Sequence, residues 1–206
     1  MLPMSNLNRD DNPYLFDPDV QLMLAFQKGH RASFEILLVK FYPRVLNFIY
    51  RYIGNRHTAE ELTQEVFLKV YNHCAHYRPE SRFQTWVYTI AKNVSLNELR
   101  RNKQTILSLD EPVRGEDGTM QRQIADSQAV GADEELMTQE TVLMIKKAID
   151  VLPENQRMAV ILRRYENFSY EEIARTMDLS MEAVKSLLSR AKENLKVSLA
   201  HVVKGK

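Results

Sequence analysis

The chain has 206 residues, and its 28 lysines and arginines against 27 aspartates and glutamates give a net charge of +1, so no overall basic signature marks a nucleic-acid binder. No run of 18 or more apolar residues occurs and the N-terminus lacks the pattern of a signal peptide, so we expect a cytoplasmic protein. The single cysteine excludes an internal disulfide, and the lack of alternating Val/Ile/Thr runs favours an all-helical chain.

The first part of the sequence predicts two helices. A short helix covers about 20–27, with Asp17 as its cap and Gly29 as its stop. A longer helix covers about 31–52, where apolar residues recur at helical spacing. Pro43 lies inside this pattern and is expected to kink the helix, because proline removes a backbone donor.

A third helix is predicted to begin with a capping box over 58–61, in which the Thr58 hydroxyl caps the helix. The outward face of this helix is acidic at its start. Carboxylates are favourable at any helix N-terminus, but the same face could also dock a basic partner, and charge alone favours the first explanation. The outward residues are Glu60, Glu61, Gln64, Glu65 and Lys69.

A loop over 75–82 precedes a helix with a basic polar side. Residues 82–103 hold five basic residues against one acid, a net charge of +4. Aromatic rings can stack on unpaired bases, and arginine or asparagine can contact phosphates or base edges, although core packing explains the aromatic residues equally well. The candidate residues are Tyr77, Arg78, Arg82, Phe83, Lys92, Asn93, Asn97, Arg100 and Arg101.

Residues 103–137 hold three basic residues against eight acids, a net charge of −5, together with three glycines and a proline. This composition is typical of a linker, and a structureless loop of that length is uncommon inside a compact domain. The sequence therefore predicts two small helical domains joined by a flexible acidic linker. The predicted divisions are a flexible N-terminus at 1–18, a first domain at 19–103, the linker at 104–137 and a second domain at 138–206.

Residues 169–192 predict a helix, a tight turn and a second helix. Ser169 and Glu172 form a capping box, and Ser180 caps the second helix after a three-residue turn. This pattern is typical of a helix-turn-helix, whose second helix enters the major groove, although an ordinary helical hairpin would show it too. The candidate DNA-reading residues are Glu182, Lys185, Ser186, Ser189 and Arg190.

Local charge favours DNA as the partner of this unit. Residues 180–206 carry six basic residues against two acids, a net charge of +4, which backbone phosphates would attract. The chain thus has two basic segments, one on each side of the acidic linker.

The sequence contains few features that indicate an enzyme. His73, Cys74 and His76 could be imagined as metal ligands, but three ligands crowded at one helix end without a fourth make a poor zinc site. No phosphate-binding glycine loop or nucleophile–base pair stands out. We therefore expect no enzyme activity, no cofactor, no bound metal and no catalytic residue.

Four motifs resemble, in the family's order, those of the extracytoplasmic-function (group IV) sigma factors of the sigma-70 family of bacterial RNA polymerase. They are AEELTQEVFLKVY at 59–71, FQTWVYTIAKN at 83–93, LPENQR at 152–157, and SYEEIA at 169–174 followed by AVKS at 183–186 and RA at 190–191. Together the two predicted domains cover most of the chain.

The resemblance implies a transcription initiation factor that binds core RNA polymerase, directs it to −35 and −10 promoter elements, aids promoter melting and serves a stress or envelope regulon. The helix at 59–72 would dock on the clamp of the largest catalytic subunit, which makes the acidic face a partner surface, and the flap of the second largest subunit is a further contact. Residues 75–101 would recognise the melted −10 element, and the helix at 181–196 would read the −35 element. The linker would thread toward the active-site channel.

The resemblance also implies an anti-sigma factor as a partner, and no membrane insertion. A helix-turn-helix regulator that is not a polymerase subunit is the alternative, but it leaves the acidic helix and the aromatic loop without a role.

Two positions depart from the family pattern. Leu187 replaces a usual arginine, so we expect it to extend the apolar stripe of its helix. Glu182-Ala183 replaces the common Gly-Thr or Thr-Thr, and the Glu182 carboxylate can accept a hydrogen bond from a cytosine amino group.

Overall fold

The computed structural model describes residues 12–109 and 139–203, with side chains over 12–102 and 141–200. Within these two ranges the chain forms eight α-helices and no β-strand, so the predicted all-α class is confirmed. Most of the predicted linker and most of the predicted flexible N-terminus lie outside the described residues.

The first half of the structure, residues 12–109, contains four α-helices. They are α1 (Pro18–Gln27), α2 (Arg31–Ile53), α3 (Arg56–Asn72) and α4 (Phe83–Leu109). Helix α2 is central and packs against the other three. It continues through Pro43, and the kink predicted there stays a prediction. Phe41, Phe48 and Tyr88 are fully buried in this core.

Helix starts in the first half follow local capping chemistry. The Asp17 carboxylate caps α1, as predicted, and Gly54 ends α2 with a positive φ of 82°. The predicted capping box at Thr58 is wrong. Helix α3 begins at Arg56, and the side-chain oxygen of its cap, Asn55, accepts a hydrogen bond from the Thr58 N–H at 3.0 Å. Because Gly54 has already turned the chain, the very next residue takes the cap position.

The second half, residues 139–203, contains the other four helices. They are α5 (Gln139–Asp150), α6 (Glu154–Arg164), α7 (Tyr170–Met177) and α8 (Met181–Val203). Their core includes Met158, Ile161, Phe168 and Ile173. Helix α8 packs against α5, α6 and α7, and holds the second half together.

The two halves pack on each other. Helix α7 lies on α4, and α6 lies on α2, so that buried residues of both halves join one hydrophobic cluster. We call this mutual packing the closed arrangement, and the surface between the halves the interdomain interface.

Candidate nucleic-acid interface

The helix-turn-helix of the second half is built by two caps. The Glu172 N–H donates to Ser169 Oγ at 3.1 Å, and the Ser169 N–H donates to Glu172 Oε2 at 2.8 Å, so the predicted capping box is confirmed. After Asp178, which ends α7 with a positive φ of 56°, Ser180 Oγ accepts a hydrogen bond from the Ala183 N–H at 3.1 Å. These bonds fix the turn between the two helices.

The inner face of α8 is apolar. Val184 and Ala191 are fully buried, whereas Leu187, Leu188 and Leu195 are partly buried against the same cluster. The expectation that Leu187 extends the apolar stripe is therefore confirmed. The Leu187 side chain packs against the core, at a position where an arginine would place a charge.

The outer face of α8 carries all five predicted DNA-reading residues in exposed positions: Glu182, Lys185, Ser186, Ser189 and Arg190. Among the described residues, none of the three charged members forms a salt bridge. Their charges are thus available to an external partner. Contact with DNA at these positions stays a prediction.

Helix α4 presents two polar stripes. The first stripe is exposed and consists of Asn93, Asn97, Arg100 and Arg101, which recur at helical spacing. Arg101 donates to the Glu98 carboxylate one turn earlier, which orients its guanidinium. Arg78, in the loop before α4, is also exposed.

In the second stripe, Arg82, just before α4, and Lys92 of α4 lie on the side that faces α7, and the Arg82 side chain is still 62% exposed. Arg82 Nη1 is 3.5 Å from Glu172 Oε1, and Lys92 is only partly exposed. Burial lowers the pKa of the Lys92 ammonium, and the nearby Asp178 carboxylate partly offsets that effect. Two of the predicted −10 residues therefore face the second half.

The structure places Tyr77 and Phe83 in the core, which is one of the two explanations that the sequence left open. Phe83 is fully buried with its ring 5.1 Å from that of Phe41, and Tyr77 is 4% exposed with its ring 4.9 Å from that of Trp86. Gln27 holds the loop down, since its side-chain amide donates to the Tyr77 carbonyl at 3.0 Å. Both rings are core residues here, as the packing alternative had it.

The outer face of α3 is less acidic than its sequence indicates. Glu61, Gln64 and Glu65 are exposed, and Glu60 and Lys69 are half-buried. Each carboxylate has a basic residue one turn away. The distances are 2.8 Å for Arg56–Glu60, 3.5 Å for His57–Glu61 and 3.3 Å for Lys69–Glu65. The Arg56 and Lys69 pairs neutralise charge but stabilise a helix by only about 0.3–0.5 kcal/mol each.

Sequence reasoning missed the apolar residues on this side of the first half. Leu68 is 62% exposed, three positions after Glu65, and the neighbouring α2 exposes Ile36 at 52% and Val39 at 78%. Large apolar side chains that stay exposed on neighbouring helices are candidates for an interaction surface. An outward leucine within an otherwise polar face was the signal available in the sequence.

A buried carboxyl lies in the interdomain interface. The side chain of Glu166, between α6 and α7, is 5% exposed and accepts a hydrogen bond from the Tyr88 hydroxyl of α4. Arg44 on α2 approaches it to 4.0 Å. Burial is the main cause that raises the pKa of both Glu166 and Tyr88. The Phe168 ring covers Tyr88 at 5.2 Å.

Three cations stacked on aromatic rings form further contacts across the interdomain interface. The centroid distances are 4.3 Å for Arg51 over Tyr165, 4.7 Å for Arg157 over Tyr52 and 5.0 Å for Lys146 over Tyr50. Each pair joins one half to the other, and such a contact contributes about 0.5–2 kcal/mol of interaction free energy.

Arg175 closes the far end of the interface. Its guanidinium, on α7, donates to the Tyr14 hydroxyl at 2.6 Å and to the Glu80 carbonyl at 2.8 Å, both in the first half. Nothing in the sequence singled out Arg175 or Glu166. Their partners lie about 80 to 160 positions away along the chain.

Within the described ranges, no group of three or more His, Cys, Asp or Glu residues is arranged to hold a metal ion. None of the helices in those ranges has the length and hydropathy needed to span a bilayer.

Two family models match the chain, Sigma-70 region 2 over residues 37–105 and Sigma-70, region 4 over residues 143–195. The RNA polymerase sigma-H factor of Pseudomonas aeruginosa is 30% identical over 185 residues, which cover 89% of this chain and 94% of that protein. The ECF RNA polymerase sigma-E factor of Escherichia coli is 32% identical over 179 residues, which cover 85% of this chain and 91% of that protein.

Solved structures share the fold. The sigma factor RpoE from Bartonella quintana, in a co-crystal with the anti-sigma factor NepR, matches with a TM-score of 0.65 at 24% identity, over 82% of this chain and 97% of that one. CnrH, in complex with the cytosolic domain of CnrY, matches with a TM-score of 0.63 at 18% identity, over 90% of this chain and 99% of that one.

Proposed function

Because this chain belongs to the extracytoplasmic-function sigma factors of bacterial RNA polymerase, we propose a specific division of labour between its two halves. The chain is a transcription initiation factor that binds core polymerase and directs it to −35 and −10 promoter elements. The observation that carries this function is that one chain combines the region 2 helices with a capped helix-turn-helix whose outer face is exposed and polar.

The alternative of a helix-turn-helix regulator outside the polymerase is not favoured. Such a regulator would account for α7 and α8, but not for a region 2 match over 37–105. Relatives that align over 85–89% of this chain carry sigma-factor names.

The second half is proposed to read the −35 element. Lys185, Ser186, Ser189 and Arg190 on the outer face of α8 would enter the major groove, where Lys and Arg address guanine or phosphate and Ser addresses base edges. Glu182, in the first turn of α8, would accept from a cytosine amino group.

The first half is proposed to bind the −10 element through α4. The exposed stripe of Asn93, Asn97, Arg100 and Arg101 supports this role, with Arg78, Arg82 and Lys92 supplying further phosphate contacts. With Tyr77 and Phe83 buried, their part in this proposal is to hold the loop and α4 in position rather than to stack on bases.

Core polymerase is proposed to dock on two surfaces. The clamp of the largest subunit would bind the outer face of α3, with Glu61, Gln64 and Glu65 supplying polar contacts and Leu68 the apolar one. The flap would bind the apolar groove between α6 and α8, which is lined by Val160, Leu188, Leu195 and Leu199.

Further partners follow from the family. One similar structure is a complex of the sigma factor RpoE with the anti-sigma factor NepR, and we extend an anti-sigma partner to this chain. Sigma factors are initiation factors rather than catalytic enzymes, so the chemistry would belong to the polymerase. We also propose a cytoplasmic location, a stress or envelope regulon, and domain limits of 19–103 and 138–206 around a linker at 104–137.

Reconstituted transcription tests the function directly. The full chain is mixed with core polymerase, tested for co-purification, and assayed by run-off transcription on genomic promoter fragments. We expect stable association and promoter-specific transcripts that core polymerase alone does not make. A chain that leaves transcription at the level of core alone would overturn the proposal.

A further inference from the structure

The loop between α3 and α4 contains a single 3-10 turn at Cys74–His76 and is otherwise irregular, so most of its backbone carbonyls need partners outside regular secondary structure. Gln27, the last residue of α1, supplies such partners from the first half itself. Its Nε2 donates to the carbonyl oxygens of Cys74 at 2.8 Å, Ala75 at 3.2 Å and Tyr77 at 3.0 Å. One side chain thus holds several consecutive positions of the loop.

A second side-chain amide holds the loop further along the chain. Asn12 Nδ2 donates to the Pro79 carbonyl at 2.8 Å. Arg78, the exposed cation of the loop, therefore lies between two anchored residues, Tyr77 and Pro79. The carbonyl of Arg78 accepts a hydrogen bond from the Glu80 N–H at 2.8 Å. Because the backbone is fixed on both sides of it, the Arg78 side chain leaves the loop in a preset direction.

The Gln27 hydrogen bonds lie at the edge of the first half rather than in its core. Gln27 is half-buried, and Ala75 is exposed. Water can therefore take the place of the amide at these carbonyls when the amide is removed. The loop would then loosen while the helices on either side of it stay packed. An effect of Gln27 on recognition is thus separable from an effect on folding.

We propose that Gln27 is a positioning residue for the −10 element: by holding the carbonyls of 74–77 it presets the loop that carries Arg78, and Asn12 assists from the other side. Neither amide needs to touch DNA for this role. The inference rests on the proposed function, because the loop must belong to the −10 surface. With the loop preset, the correct −10 element does not lose affinity to the fraction of chains whose loop is in another conformation.

A double-mutant cycle between protein and promoter tests this role. Run-off transcription by the full chain with core polymerase is measured on one promoter, and on versions that carry single substitutions in the −10 or the −35 element. Gln27→Met keeps the side-chain length but removes the donors. We expect the preference for the original promoter over its −10-substituted versions to fall about three- to tenfold, because a substituted element no longer uses the preset loop. The preference over −35-substituted versions should stay unchanged, since α8 reads that element.

The matched control is Gln21→Met on the same helix. The Gln21 amide donates to the Leu15 carbonyl, outside the loop, so both preferences should stay at the wild-type value. Asn12→Asp keeps the oxygen that accepts from the Tyr14 N–H but removes the donor to Pro79, and it should lower the −10 preference in the same direction as Gln27→Met.

A conservative replacement distinguishes the hydrogen bonds from side-chain packing. Gln27→Lys places an ammonium, with three donors and no acceptor, near the same carbonyls. It should recover part of the −10 preference that Gln27→Met loses. Circular dichroism verifies that each variant keeps its helices.

Hydrogen exchange reports on the loop without polymerase or DNA. The amides of His76, Tyr77 and Glu80 donate to backbone carbonyls within the loop or at its start. In Gln27→Met, the peptide covering 74–82 should exchange about three- to tenfold faster than in the wild type, because a loosened loop exposes these amides more often. Peptides from α2 should exchange at the wild-type rate.

Each outcome bears on one claim. An unchanged −10 preference in Gln27→Met, equal changes in the −10 and −35 preferences, or the same loss in Gln27→Met and Gln27→Lys would overturn the positioning role. If the wild-type chain directs transcription while Gln27→Met keeps its −10 preference, only the positioning role is wrong. A wild-type chain that directs no transcription beyond core polymerase overturns the proposed function, and the exchange rates then still decide whether Gln27 holds the loop.

Discussion

Burial between the two halves raises the pKa of the Glu166 carboxyl, because its charged form loses hydration there. The Tyr88 hydroxyl on α4 and Arg44 and Arg51 on α2 face this group and only partly offset the effect. Once the halves separate, the carboxyl regains water and its ordinary pKa near 4.5.

This difference makes the closed arrangement pH-dependent. A carboxyl whose pKa is raised in the closed arrangement binds its proton more tightly there. Protonation of Glu166 therefore stabilises the closed arrangement fully below the ordinary pKa, and this stabilisation is lost as the pH rises through the raised pKa. We expect the radius of gyration to fall as the pH is lowered through the raised pKa toward the ordinary value of 4.5. In Glu166→Gln this pH dependence should flatten, and an equal response in that variant would contradict the assignment.

The outer face of α8 yields a prediction on promoter recognition. Lys185→Ala and Arg190→Ala each remove a cation without touching the core, so we expect promoter-specific transcription to fall about tenfold, as for the loss of a contact worth about 1–3 kcal/mol. The control is Lys147→Ala, an exposed cation on α5 that belongs to none of the proposed docking surfaces. A similar loss in the control would argue against specific reading by this face.

At the scale of the helices, the α7 cap can be measured on its own. Ser169→Ala removes the oxygen that accepts the Glu172 N–H, so the free energy of unfolding should fall by about 0.5–2 kcal/mol. Urea denaturation followed by circular dichroism gives this value. Ser198→Ala, at an exposed position of α8, should leave the stability unchanged within about 0.5 kcal/mol.

Sequence reasoning succeeded where the determining interactions are local. The capping box at Ser169, the Ser180 cap and the apolar stripe through Leu187 all depend on residues within one or two turns, and each is present. The start of α3 was misplaced because two polar residues, Asn55 and Thr58, can each cap a helix. Which of them does so depends on where Gly54 turns the chain.

The tertiary contacts could not be predicted in this way. The sequence shows that Tyr77 and Phe83 are aromatic, but not whether their rings meet solvent or pack against Trp86 and Phe41. The interdomain interface is harder still, because Tyr88 and Glu166 are 78 positions apart and neither belongs to a pattern that points to the other. Periodicity identifies a buried face without identifying its partner.

For the whole molecule, the central prediction is that core polymerase separates the halves. Donor and acceptor dyes are placed at Glu35→Cys on α2 and Ser198→Cys on α8, both exposed positions, with Cys74→Ser to leave only these thiols. We expect energy transfer to fall when core polymerase is added, since its two docking surfaces lie on different halves. Core polymerase already saturated with another sigma factor should leave the transfer unchanged. A fall with the saturated enzyme as well would contradict specific opening.

The arginine and lysine side chains stacked on Tyr165, Tyr52 and Tyr50 have a consequence for what happens once the halves part. A guanidinium and a phenol both regain good hydration when they separate, unlike two leucines. Exposing these three pairs to water therefore costs less than exposing the apolar residues that both halves contribute to one cluster. The cation–ring pairs should thus be the first interdomain contacts to be exchanged for water as the halves part.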